Sequence, residues 1–357
     1  MRRAIVHIGM PRTATSALQF FMARHRAALE TAGILYPALA TADGEAAANN
    51  HKPLGEALDG RRPRRERAAL LAALDRMLAT TAADTAILSY EGLCQIGWPR
   101  TPWRPLAAAF ARRGFAMEIL LTVKPQAEYL NSTYAWRMQF LREGRTFADY
   151  VAATLRGLTP EARRLDYGRL ARAWQRAAEG RLAAVPVRAA GDGEPFLSRV
   201  FVETGLGDRV LPLIAPRDIS LRVNRSPGPV SVEVARRLHR AGVPRRLDPA
   251  AAAEPMRFVQ AEAKARGLDG DAFRGLTPAL QRAIEERTAA ANERFARAVW
   301  SAPWAERVAM PAPESVNEIG GPADPAVEEA IAAIMAAVAE RFPVAAAGSL
   351  RRGRSKS

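Results

Sequence analysis

Apolar and polar residues follow two periods along the first half of the chain. Ala4-Ile-Val-His-Ile8 is a short apolar run with two β-branched members, the signature of a buried parallel strand. From 15 to 33 the spacing becomes helical, with Leu18, Phe21, Met22 and Leu29 on one side, Arg24, Arg26 and Glu30 on the other, and Gly33 as C-terminal cap. Residues 38–65 carry neither period and read as irregular. Helical spacing returns over 66–81, and 85–90 (Thr-Ala-Ile-Leu-Ser-Tyr) reads as a second strand. A helix over 105–113 is stopped by Gly114, and 117–123 is a third strand. Pro125 fits the first position of a helix reaching about 142. Helices over 147–155 and 167–178 follow, then a fourth strand over 182–188, where Pro186 marks a sheet edge.

Strands alternating with helices predict an α/β fold of three layers, a central parallel sheet with helices on both faces. After residue 190 the pattern is mainly helical, with helix starts signalled at Asp248-Pro249, Thr277-Pro278 and Asp324-Pro325. The expected organisation is one domain over 1–345, an α/β core over 1–190 joined to a helical part over 191–345. A basic disordered tail over 346–357 completes it.

Composition narrows the function. The chain has 357 residues, 52 Lys and Arg against 37 Asp and Glu, and a net charge of +15, which favours an anionic partner. Much of the excess falls in the arginine cluster at 61–67 and in the tail. A single cysteine, Cys94, excludes an internal disulfide framework and a Cys-based zinc site. The four histidines show no metal-ligand spacing, so no metal is expected. No apolar run reaches the length of a membrane span, and Met1-Arg2-Arg3 with its short apolar stretch does not make a signal peptide. The expected setting is cytoplasmic.

The strongest chemical signal is the passage from the first strand into the first helix, Gly9-Met-Pro-Arg-Thr-Ala-Thr-Ser16. Such a junction aims backbone N–H groups and the positive end of a helix dipole at one point. Arg12 adds a cation, and Thr13, Thr15 and Ser16 add hydroxyls. As a Walker A loop the run fails, because Ala14-Thr15 stands where Gly-Lys belongs.

The run resembles the loop of sulfotransferases that use 3′-phosphoadenosine 5′-phosphosulfate (PAPS), and particularly their bacterial branch, which has His-Ile-Gly-x-x-Lys-Thr-Gly-Thr-[Thr/Ser]-x-Leu-Gln. Here it is His7-Ile-Gly-Met-Pro-Arg-Thr-Ala-Thr-Ser-Ala-Leu-Gln19, with Arg12 for Lys and Ala14 for Gly. Alanine suits that position only if its φ is negative. Lys124, followed eight residues on by Ser132, is similar to the family's basic residue and serine that bind the 3′-phosphate. The resemblance implies a P-loop-like sulfotransferase fold and sulfuryl transfer from PAPS to a hydroxyl or amine of a carbohydrate or small metabolite. Gly9, Pro11, Arg12, Thr13, Ala14, Thr15, Ser16, Lys124 and Ser132 then hold the donor, with Arg12 also acting on the leaving phosphate.

The acceptor needs a general base. His51, read as lying in a polar loop, is placed ahead of Glu91, which follows the second strand. Tyr129, Tyr134 and Trp136 offer stacking surfaces, although helix packing accounts for at least two of them. Two other classes compete: a P-loop-like nucleotide kinase, and a non-catalytic protein that binds an anionic polymer. The position of Arg12 and Lys124 at strand ends favours a small nucleotide over nucleic acid. The sequence names neither the acceptor nor an oligomeric state.

Overall fold

The computed structural model describes residues 2–40, 49–95, 103–191, 194–215, 226–245, 253–310, 315–319 and 324–343. Five strands form one sheet: β1 (Arg2–His7), β2 (Ile34–Leu35), β3 (Thr85–Ser89), β4 (Phe115–Val123) and β5 (Leu182–Pro186). Their order is β2-β3-β1-β4-β5, and every pairing is parallel. Parallel strands buried on both faces need apolar side chains, and β3 and β4 are apolar over most of their lengths while β1 is apolar over its buried centre, Ala4 to Val6. Pro186 lies on β5, an edge strand as expected.

The helices are α1 (Thr15–Arg24), α2 (Arg26–Thr31), α3 (Lys52–Leu58), α4 (Arg64–Thr80), α5 (Arg104–Arg112), α6 (Gln126–Met138), α7 (Phe147–Leu155), α8 (Tyr167–Gln175), α9 (Phe196–Glu203) and α10 (Gly207–Val210). Beyond them come α11 (Pro229–Arg240), α12 (Ala253–Ala265), α13 (Pro278–Trp300), α14 (Trp304–Arg307) and α15 (Pro325–Arg341).

These elements form two compact units that the chain enters more than once. The first holds 1–125, 163–224 and 288–310, and the second 126–162, 225–287 and 311–357. They cut across the division at 190 read from the sequence, because the chain leaves the sheet unit after β4 and returns for α8 and β5. The tail at 346–357 lies outside the described residues, as does Asp248-Pro249.

In the first unit, one sheet face presents Ile5, Ile87, Leu120 and Val185. It packs against Leu18, Phe21 and Met22 of α1 and Leu197, Val200 and Phe201 of α9. The alternate residues of β4 face the other way, where Phe115 meets Phe110 of α5 with ring centroids 6.3 Å apart. α8 also packs on β4, and its Trp174 indole donates to Leu93 O at 3.1 Å. Helices on both faces of a parallel sheet are thus the α/β architecture the alternation predicts.

The second unit is helical. Tyr134 of α6, Phe147 and Tyr150 of α7, and Phe273 form an aromatic cluster with centroids 5.3–6.4 Å apart. Tyr129 and Tyr134 are fully buried, so packing explains both, while Trp136 is half-buried against Phe140. Among the described residues no helix is long and apolar enough to cross a membrane.

Candidate functional site

The strand order puts the C-terminal ends of β3, β1 and β4 side by side, the edge at which open α/β sheets bind ligands. Each of these three strands carries a buried polar residue at or next to its end: Ser89, His7 and Thr122. His7 pairs with Ser89 across the β1–β3 ladder. Its Nδ1 lies 2.7 Å from Ser89 Oγ and its Nε2 3.3 Å from Thr122 Oγ1. Burial pushes the His7 imidazole down to about 3, so the ring is neutral.

The loop from β1 to α1 rests on this polar floor. Thr13 is fully buried; its hydroxyl donates to Met10 O at 2.7 Å and lies 2.7 Å from Thr122 Oγ1. It therefore anchors the loop from below rather than facing a ligand. Gly9 has φ +43°, and a Cβ there would sit 2.7 Å from Thr15 Cγ2, so glycine is required for conformation and for space. Arg12 at φ +69° and Ala14 at φ +59° are also left-handed. The negative φ required for an unstrained alanine is therefore not met, and Ala14 carries the cost of Cβ against backbone, roughly 1–2 kcal/mol.

Ala14 occupies the N-cap of α1, and no side chain caps that helix. Helical geometry points the first-turn N–H groups of α1 toward the loop rather than into the helix's own hydrogen-bond ladder. The arrangement suits an anion held by main-chain donors, with hydroxyls of Thr15 and Ser16 in the same turn. Half-buried Arg12 has its pKa lowered by desolvation, a cost that an anionic ligand offsets. Pro11 sits between Met10 and Arg12, where its fixed φ limits the loop's freedom.

Replacing Ala14 by Gly is expected to raise stability. Relief of the left-handed strain exceeds the added chain entropy of glycine, for a net gain of about 0.5–1 kcal/mol. Thermal melting checks this, and a lower Tm in Ala14→Gly contradicts the strain.

Lys124 follows the last residue of β4 and is buried. Tyr167 of α8 fixes its main chain: the phenol donates to Lys124 O and accepts from Lys124 N at 3.4 Å. Tyr167 in turn stacks on Trp304, rings 15° from parallel. Nothing in the sequence marks Tyr167, whose contact with Lys124 spans 43 residues.

Glu91 opens a single 3-10 turn over Glu91–Gln95 after β3. It is half-buried, and its Oε2 accepts from Gln19 Nε2 of α1 at 2.9 Å. Gln19 also approaches Ser89 Oγ at 3.3 Å, and Asn50 donates to Gln19 Oε1 at 3.4 Å. Glu91 is thus tied to the helix that follows the Arg12 loop.

His51 is not in an open polar loop. It is buried at the start of α3, with Nδ1 accepting from Ser89 N at 2.9 Å and Nε2 donating to Pro37 O at 2.9 Å. Burial pushes its pKa down to about 4. With both ring nitrogens in main-chain hydrogen bonds, the imidazole has no lone pair for an acceptor proton. The order of the two base candidates is therefore reversed in favour of Glu91.

The sheet edge brings together Gly9, Pro11, Arg12, Thr13, Ala14, Thr15, Ser16, Glu91, His51 and Lys124, all members of the first unit. Ser132 belongs to the second unit, on α6, where its hydroxyl donates to Tyr129 O at 3.1 Å. Cys94 is buried and its thiol is pushed up to about 11 by burial, which makes it unreactive. Among the described residues no group of His, Cys, Asp and Glu has the arrangement of a metal site. No family model, curated protein or solved structure matches the chain.

Proposed function

We propose that the protein is a sulfotransferase that moves a sulfuryl group from PAPS to a hydroxyl or amine of a carbohydrate or small metabolite. One observation carries the reading. The β1–α1 loop is left-handed at Gly9, Arg12 and Ala14 and leads into an α1 terminus with no side-chain cap. Arg12 in that loop and Lys124 at the neighbouring strand end supply two cations on one sheet edge. The motif His7-Ile-Gly9 to Leu18-Gln19 and the Lys124-x7-Ser132 spacing support the same donor from sequence.

The donor supplies a phosphosulfate whose bridging oxygen leaves as phosphate. Arg12 and the first-turn N–H groups of α1 hold that phosphate and stabilise the negative charge it gains. The acceptor oxygen forms its bond to sulfur as the bond from sulfur to the bridging oxygen breaks, and the electron pair goes to phosphate. The acceptor proton goes to the Glu91 carboxylate, which Gln19 orients. His51 acts as a positioning residue that fixes the end of β3 ahead of Glu91.

Calorimetry with adenosine 3′,5′-bisphosphate, against ADP with Mg²⁺, tests the donor. Tight binding of the bisphosphate without metal is expected; preference for Mg²⁺-ADP assigns the loop to a kinase instead. Glu91→Gln is expected to lower kcat by roughly 10²–10⁴-fold while leaving bisphosphate affinity within about threefold. An unchanged kcat moves the base elsewhere.

A further inference from the structure

α3, the turn after it and the first turn of α4 (52–67) carry six basic residues, Lys52, Arg61, Arg62, Arg64, Arg65 and Arg67, against three acidic ones, Glu56, Asp59 and Glu66. The acids are engaged within the turn itself. Arg62 bridges Glu56 at 3.0 Å and Glu66 at 2.5 Å, Arg61 Nε meets Asp59 at 2.9 Å, and Lys52 approaches Glu56 at 3.8 Å. Among the described residues, no ion pair involves Arg64, Arg65 or Arg67, and Arg64 and Arg65 are exposed. Helix stability does not explain these three. They occupy the first turn of α4, where cations oppose the helix dipole.

This basic turn is fastened to the proposed site. The Arg61 guanidinium lies beside Tyr90, the residue between β3 and Glu91, closely enough that each shifts the other's titration. The Tyr90 ring is clamped between two glycines: a Cβ at Gly55 would lie 2.2 Å from Tyr90 Cδ1, and one at Gly92 2.4 Å from Cε1. Neither glycine has a left-handed φ, so close approach of the ring is what requires them. Arg61, Tyr90 and Glu91 therefore form a continuous connection from the exposed arginines to the proposed base.

We infer that this face binds the anionic groups of the acceptor, and that the acceptor is a saccharide chain bearing several carboxylate or sulfate groups. The inference rests on the sulfuryl-transfer reading. Guanidinium forks pair with carboxylates and sulfates in bidentate fashion, and a saccharide held there offers its hydroxyls to Glu91. A polymer whose only anions are backbone phosphates would meet the same arginines without supplying repeated hydroxyl acceptors.

The test uses the full chain and fluorescence anisotropy with a labelled polyuronate oligosaccharide, a neutral oligosaccharide and a single-stranded DNA dodecamer. Arg64→Glu/Arg65→Glu is compared with Arg172→Glu/Arg294→Glu, which makes the same charge change at exposed arginines elsewhere in the first unit. Arg64→Glu/Arg65→Glu is expected to weaken polyuronate binding at least tenfold, and the control pair less than threefold. Its Tm should equal or exceed that of the parent, since acids suit the start of α4. Equal losses in both pairs, no polyuronate binding, or tighter binding of DNA through Arg64 and Arg65 overturns the inference. Adenosine 3′,5′-bisphosphate titrated into the same proteins separates the two readings. If the parent does not bind it, the donor assignment fails; if it binds while the polyuronate arm fails, only the acceptor inference falls.

Discussion

Arg12→Ala is expected to weaken adenosine 3′,5′-bisphosphate binding by about 10²–10³-fold. The guanidinium sits in a loop whose other ligand-facing groups are neutral, and charge-assisted hydrogen bonds are each worth about 1.5–3 kcal/mol. The substitution isolates the charge. Position 12 is left-handed at φ +69° with arginine, and alanine, which also has a Cβ, bears the same backbone cost. Burial already disfavours the cation in the absence of an anion. Ligand binding should accordingly raise the Tm of the parent strongly and that of Arg12→Ala weakly. Arg12→Lys restores a point charge without the planar fork, and an intermediate affinity is expected. Binding unchanged in Arg12→Ala, measured calorimetrically on a variant that melts cooperatively, sinks the loop's role in holding the donor.

What the sequence disclosed follows from the range of the forces involved. β1, β3 and β4 were readable because a strand buried on both faces must be apolar, and α7 was read at its observed bounds. β2 is two residues long, too short for any period. The helix expected over 15–33 breaks at His25, between two arginines with no Gly or Pro to announce it. The cause is distant: Arg26 Nε reaches Tyr36 O at 3.1 Å as α2 turns toward β2. α3 was hidden by Pro53 and Gly55. Proline is tolerated in the first turn, and the glycine is demanded by the Tyr90 ring. His51 looked exposed because its neighbours in sequence are polar. Its hydrogen-bond partners, Pro37 and Ser89, are 14 and 38 residues away. The polar floor did leave a trace: His7, Ser89 and Thr122 interrupt otherwise apolar strands near their C-terminal ends.

The same floor predicts a marked loss of stability in mild acid. His7 and His51 are buried and neutral, with folded pKa values of about 3 and about 4 against 6.5 when unfolded. Below pH 6.5 the unfolded chain takes up protons that the folded chain refuses, so acid favours unfolding. The contribution of each histidine is fully present above about pH 6.5. It declines as pH falls, by about 1.4 kcal/mol per pH unit per histidine, until the folded value is reached. Between pH 6.5 and 5, before most carboxylates titrate, the two together should withdraw roughly 3–4 kcal/mol, a large part of a typical folding free energy. Melting temperature followed across that range should fall steeply in the parent. His7→Asn and His51→Gln are each expected to lower stability at pH 7.5, because packing and hydrogen bonds are lost, yet to flatten the slope below pH 6.5. A slope that stays the same in the double variant assigns the acid sensitivity to other groups. A flattened one ties acid sensitivity to the residues that support the Arg12 loop and the end of β3, so that ligand binding at this sheet edge should weaken over the same pH interval.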